Sequence, residues 1–163
     1  MSIHSVVIRA DEAHTIEDLL DRFVRDTGVA EVFVIDRSGQ LLVRHAGNTA
    51  LDTVSISALA AGAFSSTAAM AQLVGEPEFS VLFHEGSKQN IHVSTVDENS
   101  ILLAIFDGHT PVGLVRLYAK ETCKAIANAL RQAAARPKPV DQFGRPLADG
   151  EAAIAFGKGS PRS

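Results

Sequence analysis

The residues that could do chemistry in this chain are six histidines, one cysteine and several aspartates in turns. No two histidines have the His-x-x-x-His spacing that brings two imidazoles to one side of a helix, and a single cysteine cannot build a multi-cysteine metal cage. His84 and His92 could meet across a hairpin, but we expect them to be two ordinary histidines on the sheet surface. The pattern therefore predicts no metal site.

Neither the cysteine nor the aspartates are placed for catalysis. Cys123 lies on the apolar stripe of a predicted helix, where a buried structural thiol is the expected role. Asp36, Asp97 and Asp107 lie in predicted turns, where aspartate is favoured because its carboxylate hydrogen-bonds to nearby backbone amides. The GKGS run at 157–160 lacks the preceding strand and the upstream glycine of a phosphate-binding loop. We predict no catalytic residue, no cofactor and no enzymatic activity of the chain's own.

The composition is that of an ordinary globular chain. Its 163 residues fit one domain, and 46% of them are hydrophobic and 21% charged. The net charge of −4 gives no electrostatic basis for binding nucleic acid or an anionic membrane. The first eleven residues lack the apolar core of a secretory signal, so we expect the protein in the cytoplasm.

Hydrophobic periodicity predicts the elements that must position any site. Helices are predicted at 11–27, 54–74 and 111–134, and strands at 32–35, 40–45, 79–83, 90–96 and 100–106. Thr15 with Asp18 resembles a capping box in the first helix. Thr110 with Pro111 is typical of an N-cap followed by the first residue of the third helix. The last strand is apolar on both faces, which predicts a central position in the sheet.

The order helix, two strands, helix, three strands, helix predicts a three-layer α/β sandwich. Its five-stranded, mainly antiparallel sheet would carry helices on both faces, because the central strand is expected to be buried on both sides. Residues 1–10 are assigned to an N-terminal extension, 11–135 to the domain and 136–163 to a flexible tail. The alternative for four apolar tail residues is a short docking element: Phe143, Leu147, Ile154 and Phe156.

The middle predicted helix has no charged residue between Val54 and Gly75. The run is long enough to span a bilayer, but it consists mainly of small residues, so we expect no membrane span. The stripe expected against the sheet consists of Ile56, Leu59, Ala60, Ala63, Thr67, Met70 and Val74. The opposite face then consists of Ala58, Ala61, Ser65, Ala68, Ala69 and Gln72. Charge depletion on a solvent-facing helix side is typical of the core of a protein interface, and an alanine-rich exposed helix is the alternative.

A second copy of the chain is the expected first partner. Phe64 and Leu73 flank the neutral face and are suitable anchors for a symmetry mate. In the strand that follows, Phe79, Val81 and Phe83 would form an apolar sheet edge that is prone to aggregation unless paired. A twofold dimer joins two such edges into one continuous sheet and sets the two middle helices side by side. These five residues form the predicted dimer interface.

Five segments in this order resemble the Roadblock family of dynein light-chain type domains, and within it the bacterial MglB group. They are SALAAG at 57–62, LVGE at 73–76, FHEG at 83–86, FD at 106–107 and GLVRL at 113–117. The resemblance covers residues 11–133. It implies a homodimer with a ten-stranded sheet that binds one small Ras-like GTPase of the MglA type, in its GTP-bound form, over the paired middle helices. It also implies that the dimer stimulates GTP hydrolysis and helps to set the cell pole at which the GTPase acts in polarity and motility.

Carried onto this sequence, the resemblance implies GTPase contacts at Ala61, Ser65, Ala68, Ala69 and Gln72. It further implies activation without an arginine finger, through the GTPase's own catalytic residues, and the predicted contact helix contains no arginine. Arg37 and Arg116 are the remaining arginines of interest, with surface solvation or a local salt bridge as their expected role. A non-catalytic adaptor that binds a GTPase without activating it is the alternative. A small-molecule sensor, a third hypothesis, would need a large apolar pocket between the layers.

Overall fold

A computed structural model of the protein describes residues 8–45, 50–137 and 140–146. The elements in chain order are α1 (Ala10–Thr27), β1 (Glu31–Asp36), β2 (Leu41–Arg44), α2 (Thr53–Leu73), β3 (Val81–His84), β4 (Gln89–Thr95), β5 (Ser100–Asp107) and α3 (Val112–Ala135). This order confirms the prediction from periodicity. The GKGS run and most of the suggested docking element lie outside the described residues.

One antiparallel sheet contains all five strands, in the order β2-β1-β5-β4-β3. The central position of β5 confirms the prediction, and every residue of this strand except Asp107 is buried. β2 and β3 form the two edges and have four residues each. Because β3 pairs with β4 on one side, its other side remains open for pairing within the described structure.

Helices cover both faces of the sheet, which confirms the three-layer sandwich. α1 and α3 pack side by side on one face, over a cluster that includes Leu102 and Phe106. α2 alone covers the other face, over a cluster that includes Ile101 and Leu103. The division follows from the alternation along β5, because successive side chains of a strand point to opposite faces.

α1 begins before the predicted capping box. Arg9 is its N-cap, and the Arg9 backbone amide donates to the Glu12 carboxylate over 2.9 Å. Thr15 lies inside the helix, where its hydroxyl donates to a carbonyl of the preceding turn. The predicted capping box of Thr15 with Asp18 is therefore wrong, since the helix is already hydrogen-bonded at that point. The predicted end at Gly28 is confirmed by a left-handed backbone with φ of 77°.

The start of α3 differs from the prediction by one residue. Pro111 occupies the N-cap position with an extended backbone, so Thr110 is not the N-cap. The Thr110 hydroxyl instead donates to the carbonyl of Gly28 over 3.4 Å, which ties the start of α3 to the end of α1. A second link joins the other ends of these helices, where Arg136 pairs with Asp11 over 2.6 Å.

Residues 140–146 form a tight turn beyond α3, closed by a bridge between Val140 and Pro146. The Asp141 carboxylate accepts hydrogen bonds from the backbone amides of Phe143 (2.8 Å) and Arg145 (2.9 Å). Phe143 is exposed. The described part of the predicted tail therefore has local structure of its own.

Candidate functional site

The candidate site is the outer surface of α2. The start of this helix is stabilised by an N-cap. Asp52 is the N-cap: its carboxylate accepts from the Ser55 hydroxyl (2.5 Å) and from the Ser55 backbone amide (3.1 Å). These two hydrogen bonds, the hydroxyl first, lower the pKa of the Asp52 carboxyl. The helix then runs for 21 residues and ends just before Gly75, which has a left-handed φ of 84°.

Three residues of α2 are buried, and they fix which side of the helix meets the sheet: Ser57, Ala61 and Phe64. The Phe64 ring packs against Phe79, with ring centroids 4.9 Å apart, and the Arg37 guanidinium lies over it at 5.4 Å. Small side chains at 57 and 61 let the helix lie close to the large residues of the sheet. Phe64 is therefore the main hydrophobic anchor of α2 within its own protomer.

The predicted division of α2 into two faces is wrong. Leu59, Met70 and Val74 were expected against the sheet, but they are 73%, 58% and 79% exposed. Ala61 was expected on the outer face, but it packs on the sheet. The physical reason is that the sheet supplies the bulky side chains at this contact, so the helix contributes small ones there. With no charge anywhere on the helix, the sequence carries little contrast between its sides.

The predicted GTPase contacts are consequently split. Ser65, Ala69 and Gln72 lie exposed along one side of α2, and Ala68 is half-buried beside them. Ala61 is wrong as a contact residue, because its methyl group is buried between helix and sheet. The structure thus brings three of the five predicted residues together on an accessible surface and a fourth to its margin.

The predicted dimer residues divide in a similar way. Phe64 is wrong as an anchor for a second copy, because its side chain is fully buried in its own core. Leu73 is 88% exposed. Val81 and Phe83 are half-buried in edge strand β3, whereas Phe79 precedes the strand and packs against Phe64.

The exposed surface of α2 has two flanks of different chemistry, as follows from the turn of about 100° per residue measured from Phe64. The apolar flank consists of Leu59, Ala63, Met70 and Val74. The neutral flank consists of Ala58, Ser65, Ala69 and Gln72, with the exposed Val54 at its N-terminal end. Leu73 lies on the crest between them, opposite Phe64. Neither flank carries a charged side chain.

The neutral flank touches the β1–β2 turn at its N-terminal end. Gly39 in this turn has a φ of 96°, and a Cβ atom added there would lie 2.8 Å from the Cα atom of Ala58. Glycine is required at this point both for the backbone conformation and for the close approach. The turn therefore fixes the position of the neutral flank relative to the sheet.

Within the described ranges, α2 is also the one helix long and apolar enough to cross a bilayer by length and composition. Its most hydrophobic window has a mean hydropathy of 1.4, and 17% of that window is buried in the structure. A contiguous set of large exposed apolar side chains is typical of a protein or membrane interaction site. Sequence reasoning missed Leu59, Met70 and Val74 as members of this surface, and no charge contrast was present to reveal them.

Titratable groups on the opposite face of the sheet have shifted pKa values. Burial, assisted by the charge of Arg116, lowers the pKa of His92 to about 4. Burial raises the pKa of Cys123 to about 12, against a smaller opposing effect of Ser94. At neutral pH the imidazole is therefore uncharged and the thiol protonated. The buried structural role predicted for Cys123 is confirmed.

The expectation that His92 lies on the sheet surface is wrong, because α3 covers it. Phe83 is the cross-strand partner of His92, so the neighbouring His84 points to the other face and the two imidazoles do not meet. In the parts of the chain that the structure describes, no three metal-ligating side chains lie together. The turn aspartates bind their own loops, as predicted: Asp36 accepts from Ser38, for example, over 2.6 Å.

Comparison with known proteins adds independent findings. The model of the Roadblock/LC7 domain family matches residues 15–106. Among solved structures, the chain is similar to MglB in a tetrameric arrangement, with 26% identity and a TM-score of 0.75 over 79% of this chain and 97% of that one. It is similar to the gliding protein MglB of Thermus thermophilus, with 27% identity and a TM-score of 0.74 over 78% and 97%. For Myxococcus xanthus MglB the values are 35% identity and a TM-score of 0.68 over 72% and 95%. No curated protein matches at a significant level.

Proposed function

Because the chain belongs to the Roadblock/LC7 domain family, we propose that it is a homodimeric regulator of a small Ras-like GTPase of the MglA type and stimulates GTP hydrolysis by that GTPase. The observation that carries the proposal is the outer surface of α2, which spans 21 residues without a charge and exposes large apolar groups. Charge depletion distinguishes interface cores from free surface. We place the protein in the cytoplasm, at a cell pole, in polarity or motility.

The apolar flank of α2 and the open edge of β3 are the parts we assign to the second protomer. Burial of a side chain such as Leu59 or Met70 contributes about 1.5–3 kcal/mol when it is complete. Pairing of β3 with its symmetry mate would satisfy backbone groups that are open in one chain and make a ten-stranded sheet. The solved tetrameric arrangement of MglB, a similar protein, supports self-association.

The neutral flank is the part we assign to the GTPase. In a twofold dimer with the two copies of α2 on one side of a continuous sheet, the two neutral flanks form one platform. Its small side chains, Ser65 and Ala69, permit close approach of a partner's backbone, while Gln72 offers a hydrogen-bonding amide. Such a platform selects its partner by shape, because it has no charge to match.

Activation in this proposal does not use an arginine finger. α2 contains no arginine, and the nearest guanidinium, that of Arg37, lies over the Phe64 ring and donates to the Asp97 carbonyl over 3.4 Å. A dimer without a free cation at the platform can still accelerate hydrolysis if it binds the GTPase best when its own catalytic residues are correctly arranged. The contribution is then a shift of population in the GTPase.

Multiple-turnover GTP hydrolysis by an MglA-type GTPase, with and without the protein, tests the proposal. We expect the wild type to raise the rate and Ser65→Arg to return it to the basal level, because the new charge would be desolvated at the platform. Ser87→Arg, the same change in the exposed β3–β4 turn, is the matched control and should act like the wild type. An unchanged rate with the wild type refutes activation. Binding without acceleration would favour the adaptor.

Sedimentation or light scattering tests the dimer separately. The wild type should have the mass of two chains, and Leu73→Glu the mass of one, since a carboxylate would be buried between the two copies of α2. Leu117→Glu makes the same change at an exposed leucine of α3 and should leave the dimer intact. A monomeric wild type, or equal effects of the two variants, contradicts the assigned interface.

A further inference from the structure

A groove of about 1070 Å³ lies on the face of the sheet opposite α2, between α3 and the strands β3 and β4. Its wall on α3 carries four basic residues: Arg116, Lys120, Lys124 and Arg131. Its floor includes His92 and Ser94 of β4, and the β4–β5 turn with Asp97 and Glu98 closes one end. The groove does not overlap the α2 surface assigned above, but Val81 of the β3 edge assigned to the second protomer contributes to its lining.

The four basic residues occupy one side of α3. At about 100° per residue they fall within an arc of about 80°, and the one acidic residue of α3, Glu121, falls outside it and does not line the groove. From Arg116 to Lys124 the helix rises about 12 Å. The result is a straight basic row along one wall.

The described residues give Arg116, Lys120 and Lys124 no acidic partner. Within the part of the chain that the structure describes, no carboxylate lies within ion-pairing distance of Arg116, Lys120 or Lys124. Arg131 donates to the side-chain oxygen of Asn128. On α1, by contrast, His14 and Arg22 both lie beside acids of the same helix. In a chain with a net charge of −4, the row on α3 is a local concentration of unneutralised positive charge.

The floor of the groove includes two polar side chains of β4, and one of them is incompletely hydrogen-bonded. The Nδ1 atom of His92 lies 3.1 Å from the Ser94 hydroxyl, but its Nε2 atom has no partner among the described residues although the side chain is 1% exposed. Such an orphaned nitrogen is uncommon in a protein interior. This nitrogen is buried beneath the groove, so the groups that the groove offers to a ligand are the bases of α3.

We propose that this groove binds an extended acidic segment of a second partner protein, with its carboxylates beside Arg116, Lys120 and Lys124. The basic row of about 12 Å matches about four residues of extended chain. Arg116 acts on His92 and Cys123 on Ser94, so α3 runs in the direction of β4. Arg131 therefore lies toward the β4–β5 turn, where Asp97 and Glu98 repel further acids. A concave groove with a wall and a floor fits a chain and not a flat lipid surface.

The proposal adds a second binding function on the face away from α2. An acidic partner and a GTPase would then occupy opposite sides of the sheet at the same time, and the protein would hold the two together. The inference does not depend on GTPase activation, because its test needs no GTPase.

Fluorescence anisotropy with a labelled octaglutamate peptide tests the groove in the full-length protein. We expect binding that weakens as NaCl is raised, because the contact is electrostatic. The double variant K120E/K124E should weaken binding by at least about tenfold. A double variant of exposed bases outside the groove, R25E/K88E, carries the same change in net charge and should bind like the wild type. An octaglutamine peptide should not bind.

Several results would overturn the proposal. They are absence of octaglutamate binding, equal binding of octaglutamine, and an equal loss in R25E/K88E.

Binding that appears only after deletion of residues 147–163 would make the chain's own tail the occupant. A change of oligomeric mass in K120E/K124E would make a second copy the occupant. Amide shifts in the NMR spectrum that centre on Ser65 instead of Ser94 would place the peptide on α2. Stimulation of GTP hydrolysis should be retained by K120E/K124E, so the two proposals can fail independently.

Discussion

The two faces of the sheet are covered in opposite ways. On one face, α1 and α3 enclose a cluster of 15 buried residues and turn charged side chains to solvent. On the other, α2 covers a cluster of eight and turns uncharged, partly large apolar side chains to solvent. The first face has a large core within one chain, and the groove beside α3 is its open part. The second face leaves large apolar side chains exposed in one chain, and it is the face that we propose a partner covers.

The largest expected difference between the faces is in stability. Leu20→Ala removes a fully buried side chain from the cluster under α1 and should lower the free energy of unfolding by about 2–5 kcal/mol. Leu59→Ala, the same change on the apolar flank of α2, should lower it by less than about 0.5 kcal/mol. Urea unfolding at a protein concentration below that of dimerisation measures both. Equal losses of stability would contradict the difference in burial between the α1 side and the α2 side of the sheet.

The pH dependence of stability sharpens the description of the α3 face. The pKa of His92 is about 4 in the folded chain, below its ordinary value of 6.5, so the unfolded chain takes up the proton first as the pH falls. The folded chain's preference for the neutral imidazole therefore contributes up to about 3 kcal/mol to the free energy of unfolding. This contribution is present in full above pH 6.5 and is lost as the pH falls toward 4.

His92→Gln should remove this part of the pH dependence, as measured by urea unfolding at both ends of that range. His84→Gln replaces an exposed imidazole and should leave the dependence unchanged. A wild-type curve that is parallel to that of His92→Gln would contradict burial of an uncharged imidazole between β4 and α3.

A smaller effect is expected where the β1–β2 turn meets α2. Gly39→Ala combines a left-handed φ with a Cβ atom only 2.8 Å from the Ala58 backbone, and should lower the free energy of unfolding by about 1–3 kcal/mol. Gly113→Ala is the control, because Gly113 lies in α3 with open space around its Cα and alanine favours helix. It should raise the free energy of unfolding by up to about 1 kcal/mol. If both variants were equally stable, the turn would not position α2.

The smallest expected effect is on the reaction rate of the Cys123 thiol. Burial raises the pKa of Cys123 to about 12, so little thiolate forms at pH 8 and the folded protein should react slowly with a disulfide reagent such as dithionitrobenzoate. Unfolding in urea should restore the ordinary rate. Because Cys123 also lines the groove beside α3, rapid reaction of the native chain would mean that the thiol is reached from the groove or by opening of the α1 and α3 layer, and its burial would be contradicted.

Sequence patterns predicted the fold well where polar and apolar residues contrast strongly. In α1 the apolar stripe stands among charged residues, so Ile16, Leu20 and Phe23 were found as core residues. β5 is apolar on both faces, which indicated its central position before any pairing was known. Both inferences depend on a difference between neighbouring positions.

The candidate site was predicted less well, because α2 offers no such difference. Two sets of residues fit the helical period as the side of α2 that faces the sheet: one includes Leu59 and Met70, and the other includes Ala61 and Phe64. Only packing against the bulky side chains of the sheet selects the second set. β4 shows the converse problem. Its alternating polar residues, His92 and Ser94, are typical of a strand facing solvent, yet α3 covers them. The basic row on α3 was visible in the sequence as an i, i+4, i+8 spacing, but its meaning depends on the groove beneath it.

The brevity of the two edge strands limits how far this sheet can grow. When two chains pair through β3, the resulting ten-stranded sheet has β2 as both of its outer edges. Further growth of the sheet would require β2 of one dimer to pair with β2 of the next, and a strand of four residues offers few hydrogen bonds for that contact. The short β2 edge therefore disfavours fibrillar growth by addition of strands.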